Sequence, residues 1–156
     1  MKQYIGTKIV KAAPALRLDD GKGNVRYELL ANNPIPLPGD TVDAGYKVIY
    51  EDGYESWSPM DVFDRAYRQT DGMSFGLAIE AAKMGKKIAR KGWNGKNQYV
   101  ELATCISYKN CSGFAINAEH RNIGNKALAF VGTSGVQMGW LASQADMLAD
   151  DWRIVE

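Results

Sequence analysis

The chain has 156 residues, 46% of them hydrophobic and 24% charged, with 19 Lys plus Arg against 18 Asp plus Glu. So even a balance argues against general duplex binding, which rests on a clear basic excess, and no apolar run approaches the length that spans a bilayer. The N-terminal MKQYIGTKIVK lacks the apolar core of a signal peptide, so a cytoplasmic setting is expected.

In chain order, QYIGTKIVKA alternates apolar and polar residues and predicts a strand. Residues 14–43 predict mostly loop, because DDGKGN and NNPIPLPGD are dense in turn formers, with one short strand around Tyr27–Leu30. YKVIYEDGYESWSP predicts a hairpin about Glu51, Asp52 and Gly53. Ser58 then reads as a helix cap, Pro59 as the first helical residue and Asp61 as a box-like partner. That helix runs to about Tyr67 and aligns Val62, Phe63, Ala66 and Tyr67 on one face.

RQTDGM, residues 68–73, reads as a joint between a unit at 1–70 and a second at 73–156. In the second, Ser74 caps a helix through Met84 that Gly85 ends. KKIARKGW and NQYVELATCISY predict strands, and 109–126 mostly loop. ALAFVG and VQMGWL predict a hairpin about Thr133, Ser134 and Gly135. Ser143 caps a short helix with Asp146 three residues on, and WRIV closes as a strand. Strands with few crossover helices predict an α+β fold of mainly antiparallel sheet with a few short helices, in two small units.

Two constellations suit chemistry. In ARKGWNGKNQY, Arg90, Lys91 and Lys96 are positive, Trp93 offers a flat face for a base, and Asn94, Gly95 and Asn97 suit a tight turn whose amides approach an anion. The plainer alternative is a solvated turn with its tryptophan in the core. In GWLASQADMLADDW, Ser143, Gln144 and Ala145 stand where a helix begins and its amides lack intrahelical partners. Such an end holds phosphate, and Asp146 can accept from a ribose hydroxyl. The plainer alternative has Ser143 and Asp146 capping their own helix while Leu141, Met147, Leu148 and both tryptophans pack inward.

The remaining signals are weak. The pairs Asp19–Asp20, Glu51–Asp52 and Asp150–Asp151 suit turns and solvated surface. Cys105 and Cys111 read as structural or incidental, and one histidine, His120 in a polar stretch, is too little for a metal site or a triad. No phosphate loop, dinucleotide fingerprint or nucleophile elbow is present, so no enzyme and no cofactor is expected.

Taken together, MSFGLAIEAAKMGKKIARKGWNGKNQYVEL and GWLASQADMLADDWRIV make residues 73–156 resemble the second family of Thoeris anti-defence proteins. The likeness covers slightly over half the chain; family members often carry a proline before the tryptophan of the second motif, where this chain has Gly139. The resemblance implies a small phage protein acting in the cytoplasm of the infected host. It implies binding of a cyclic ADP-ribose isomer, or a related cyclic nucleotide, without degradation, so that the Thoeris effector is not activated. It also implies a homo-oligomer, typically a tetramer, with pockets built between protomers. Carried onto this sequence, it puts Trp93 and Trp140 at the pocket wall and Ser143, Gln144 and Asp146 at phosphate or ribose. Phe75 is placed against adenine, Arg90 against pyrophosphate, and Trp152 in the core. Residues 1–70 resemble a small phage module without a firm function. Two other readings stand beside this one, a protein-interaction adaptor with a C-terminal oligomerisation core and a nucleotide hydrolase.

Overall fold

A computed structural model describes residues 1–3, 5–93, 97–117 and 126–156, the last stretch of the 97–117 span, residues 116 and 117, as backbone alone. The chain divides into two compact units, Met1–Arg68 and Gln69–Glu156.

The first unit is a four-stranded antiparallel sheet in the order β2-β1-β3-β4, with β1 Lys11–Asp19, β2 Val25–Leu29, β3 Thr41–Ile49 and β4 Glu55–Pro59. The expected strand at QYIGTKIVKA is displaced: pairing starts at Lys11, and Ile5 is fully exposed with no sheet to join. Much of the loop expected at 14–43 is strand as well. DDGKGN folds as a tight turn, in which the Asp20 carboxylate accepts from the amides of Lys22 and Asn24, and the turn makes β1 and β2 a hairpin. Pro14 is tolerated in β1 because it lies just beyond the stretch paired with β2, where a missing N–H costs less.

Ala15, Leu18 and Val48 are the buried apolar residues of this sheet. A Cβ on Gly45 would fall 2.2 Å from the Ser58 carbonyl oxygen and 2.7 Å from the Trp57 ring, so only glycine lets Trp57 lie across β3. Helix α1, Met60–Ala66, starts one residue later than the expected Pro59, since β4 continues through Pro59, and no side chain caps it. Phe63 stacks on Tyr46 with ring centroids 4.2 Å apart and on Tyr67 at 4.6 Å; Val62 and Ala66, expected on the same face, are exposed.

The second unit is a five-stranded antiparallel sheet in the order β10-β9-β6-β5-β11. Its strands are β5 Lys87–Arg90, β6 Tyr99–Ala103, β9 Ala127–Gly132, β10 Gly135–Met138 and β11 Trp152–Val155. A separate hairpin of β7 Ser107–Lys109 and β8 Ala115–Asn117 occupies part of the stretch expected to be loop. Cys105 precedes β7 and Cys111 sits in its turn. Helix α2, Phe75–Lys83, presses Ala78, Ala81 and Ala82 onto Ile88, Val100 and Trp152, and the small alanines allow close helix-to-sheet approach. Met73 and Trp152 exchange backbone hydrogen bonds of 2.8 and 3.1 Å, which ties the chain entering α2 to the edge of β11. Among the described residues, no helix is long and apolar enough to cross a membrane.

Candidate functional site

Strand alternation decides which residues gather beneath α2. The register Trp152↔Arg90, Ile154↔Ile88, Ile88↔Val100 and Val100↔Phe130 sets these side chains on one face of the sheet. Trp152, fully buried, is the centre of an aromatic cluster at the end of that face. Trp93 meets it edge-on at 5.4 Å between centroids, and also meets Phe130 at 5.3 Å and Trp140 at 6.0 Å. Trp140 lies 6.2 Å from Trp152, and Phe75 tilts against Trp152 at 5.5 Å. Edge-to-face pairing at these distances adds about 0.5–1.5 kcal/mol per pair beyond burial. Trp93, Trp140 and Phe75 stay partly exposed, so each keeps ring surface for something else.

Helix α3, Gln144–Met147, lies between the two tryptophans in sequence and is held by both sides of the site. Ser143 Oγ accepts from the Asp146 amide at 3.1 Å, and the Asp146 carboxylate accepts from the Ser143 amide at 3.0 Å and its hydroxyl at 2.7 Å. This capping box matches the sequence expectation. Trp152 Nε1 donates to the Asp146 carbonyl at 2.9 Å, so the buried indole is satisfied and the helix is fastened to β11. Gly139, at φ 78°, turns the chain so that its amide and that of Trp140 both donate to the Leu128 carbonyl. Ser143, Gln144 and Ala145 are exposed, and the amides of Gln144 and Ala145 come too early in the helix for an intrahelical partner.

Arg90 reaches this junction from β5. Its Nε donates to Asp151 Oδ1 at 2.8 Å, and its Nη1 donates to Asp146 Oδ1 at 3.0 Å and to the Ala145 carbonyl at 3.3 Å. The guanidinium is thus engaged by its own chain, and a pyrophosphate there would compete with two carboxylates. Hydrogen bonds from Arg90 hold the Asp151 carboxyl below its ordinary value. Burial alone would raise the Asp146 carboxyl, but hydrogen bonds from Ser143 and Arg90 outweigh it and the net shift is downward. Both carboxylates are therefore charged at neutral pH, and Asp146 has little capacity left for a ribose hydroxyl.

The structure so brings together Phe75, Arg90, Trp93, Trp140, Ser143, Gln144 and Asp146; Asn94 lies outside the described residues, as does His120. Asn97, at φ 60°, takes the left-handed conformation expected of the turn after Trp93. The sequence alone does not single out Asp151, which lies within the second motif but reads as solvated surface, or Phe130, which lies outside both motifs. Leu141 is 89% exposed and Leu148 78%, so the reading in which they pack inward does not hold within one chain.

Comparison with known proteins adds two findings. The sequence model of the Thoeris anti-defense 2-like domain matches residues 73–155. Thoeris anti-defense 2 of Bacillus phage SP01 is 39% identical over 87 residues, covering 53% of this chain and 94% of that protein.

Proposed function

Through residues 73–155 this chain belongs to the Thoeris anti-defense 2-like family, and from that premise we propose that it opposes defence by sequestering a cyclic ADP-ribose isomer without degrading it. The observation that carries this reading is the partly exposed set of Phe75, Trp93 and Trp140 beside the exposed start of α3. Aromatic faces hold a base, at about 1–3 kcal/mol per stacked ring. The amides of Gln144 and Ala145 and the side chains of Ser143 and Gln144 suit phosphate oxygens. Arg90 and Asp146 serve this pocket chiefly by positioning α3.

Sequestration requires slow release rather than turnover, and in the cluster the Ser143 hydroxyl beside the Asp146 carboxylate is spent in the capping box of α3. The exposed Leu141 and Leu148 next to α3 support completion of the pocket by a second copy, in a homo-oligomer of tetramer type.

The test mixes the purified chain with the signal of an active TIR enzyme, removes the protein by filtration, heats the retained fraction and identifies what is released. Sequestration predicts that the signal leaves the filtrate and returns unchanged on heating, and that Trp140→Ala weakens capture roughly 10- to 100-fold. Release of a cleaved product supports the hydrolase instead. Signal left in the filtrate removes this ligand, and the adaptor reading then leads: β4 ends its sheet, with an edge open to strand addition.

A further inference from the structure

The proposed pocket takes its two sides from separate parts of the chain, the Lys91–Gly92 turn that leads to Trp93 and the start of α3 at Ser143–Ala145. Asp151 is bonded to the first of these three times over. Its carboxylate accepts from Arg90 Nε at 2.8 Å and from Arg90 Nη2 at 3.4 Å. Its carbonyl accepts from the Lys91 amide at 3.2 Å. Hydrogen bonds from Arg90 first, and from the Gly92 amide as well, hold its carboxyl below the ordinary value. The three consecutive residues that precede Trp93 are thus gathered on one aspartate, and the Trp93 amide closes the turn on the Arg90 carbonyl at 3.4 Å.

The second side is reached through Arg90. A guanidinium is planar, so a carboxylate on its Nε and Nη2 edge fixes the plane of the group and the direction of Nη1. Here Nη1 donates to Asp146 Oδ1 at 3.0 Å and to the Ala145 carbonyl at 3.3 Å, both at the start of α3. Asp151 therefore orients Arg90, and Arg90 in turn holds the helix. Charge argues against a direct contact between Asp151 and the ligand, because a carboxylate repels phosphate. Asp150, the same residue type one position earlier, is exposed and has no part in these bonds.

Resting on the sequestration reading, we propose that Asp151 is a positioning residue of the pocket: by holding the Lys91–Gly92 turn and Arg90 together, it sets the distance between the Trp93 ring and the donors at the start of α3. Ring and donors must meet one ligand at the same time, so their spacing decides how long that ligand stays. Without Asp151 the two sides move independently. Release then quickens, while entry is not slowed, since a negative charge near the phosphate has been removed.

The test compares Asp151→Ala and Asp151→Asn with wild type in the full chain. Asp150→Asn controls for the charge change, and Ile88→Val lowers stability from the core of the sheet. Near-ultraviolet circular dichroism reports the order of the tryptophan cluster without ligand, and backbone amide spectra report Gly92, Gln144 and Ala145. The TIR signal, captured and then chased, gives association and release rates. Asp151→Ala is expected to weaken the tryptophan signal, to shift the amides on both sides of the pocket and to release the TIR signal about tenfold faster or more, with association no slower. Asp151→Asn keeps an acceptor without the charge and falls between Asp151→Ala and wild type; it carries the test should Asp151→Ala not fold. Asp150→Asn and Ile88→Val keep wild-type spectra of the cluster and wild-type release, the latter at a lower melting temperature. The proposal is overturned if both Asp151 variants keep wild-type spectra at α3, if they release the TIR signal at the wild-type rate, or if Ile88→Val speeds release as much as Asp151→Ala does. If wild type captures no TIR signal, the sequestration reading falls, and the ligand-free spectra alone decide the positioning role: coupled shifts at Gly92 and at Gln144 and Ala145 uphold it, and shifts confined to Gly92 overturn it.

Discussion

The two units solve the same problem, covering an antiparallel sheet, with opposite uses of tryptophan and charge. In residues 1–68 the tryptophan replaces a missing side chain: Trp57 lies across Gly45, and the buried residues around it are small or aliphatic. Ion pairs there join Arg17 with Asp19 and Asp43, Arg26 with Asp40 and Lys47 with Glu55, while Lys8 lies over the Tyr50 ring. In residues 69–156 three tryptophans meet at one end of the sheet, two of them partly exposed, while Lys87 and Arg153 lack ion-pair partners among the described residues. The recognition site proposed above lies in the second unit, where the tryptophans gather, and that unit belongs to the anti-defence family.

The comparison is broken most directly at its two tryptophan arrangements. Trp152 is fully buried and its Nε1 donates to Asp146, so Trp152→Ala leaves a cavity and a lost hydrogen bond. The expected cost is about 3–5 kcal/mol, read as loss of amide-exchange protection in residues 69–156. Gly45→Ala tests the other arrangement. The added Cβ meets backbone at 2.2 Å, which no rotamer relieves, and the expected cost is roughly 1–3 kcal/mol, confined to residues 1–68. An unchanged unfolding profile for Gly45→Ala would show that Trp57 does not need the space that glycine leaves.

How much of this was legible in the sequence depended on the range of the interactions involved. Short-range signals held: the Ser143–Asp146 box, the hairpin of β9 and β10, and the end of α2 at Gly85 all follow from residues a few positions apart. In residues 14–43 turn formers hid most of β1 and the start of β3, while β2 was expected near Tyr27–Leu30; Pro14 and DDGKGN read locally as loop, and only the pairing of β1 with β2 and β3 makes the rest strand. The cluster of tryptophans was legible as a pattern of residues without its geometry. The partners of Arg90 were not legible, since Asp146 and Asp151 lie 56 and 61 residues away. Nothing local distinguishes an arginine bound for a carboxylate from one awaiting a phosphate.

That arginine gives a smaller effect with a pH signature. Arg90→Gln removes the pairs to Asp146 and Asp151, whose side chains are 16% and 35% exposed, so solvent screening keeps the loss at neutral pH below that of Trp152→Ala. Both carboxyls have folded values below the ordinary 3.8. Their contribution is therefore present above that value and is lost as pH falls through the lower folded values. Thermal melts of wild type and Arg90→Gln should differ most near neutrality and converge in acid. A difference that stays constant down to pH 2 would mean that Arg90 acts through packing rather than charge.

The smallest effect contrasts two of the three serines that the sequence presents as helix caps; the third, Ser74, stands at the start of α2 but its side chain makes no capping bond. Ser143 accepts from the Asp146 amide and belongs to a reciprocal box, so Ser143→Ala should cost about 1 kcal/mol. Ser58 precedes a helix that no side chain caps; its hydroxyl reaches the Pro59 carbonyl at 3.4 Å, a long bond to an exposed group. Ser58→Ala should therefore change stability by less than about 0.5 kcal/mol. Denaturant melts of the two variants read this directly. Equal losses would make Ser58 a cap after all, and the helix start at Met60 would then need to move toward Ser58. A loss at Ser143 alone would agree with an α3 held from both ends, by its box and by the Trp152 indole, which is the rigidity that the proposed pocket beside Trp140 requires.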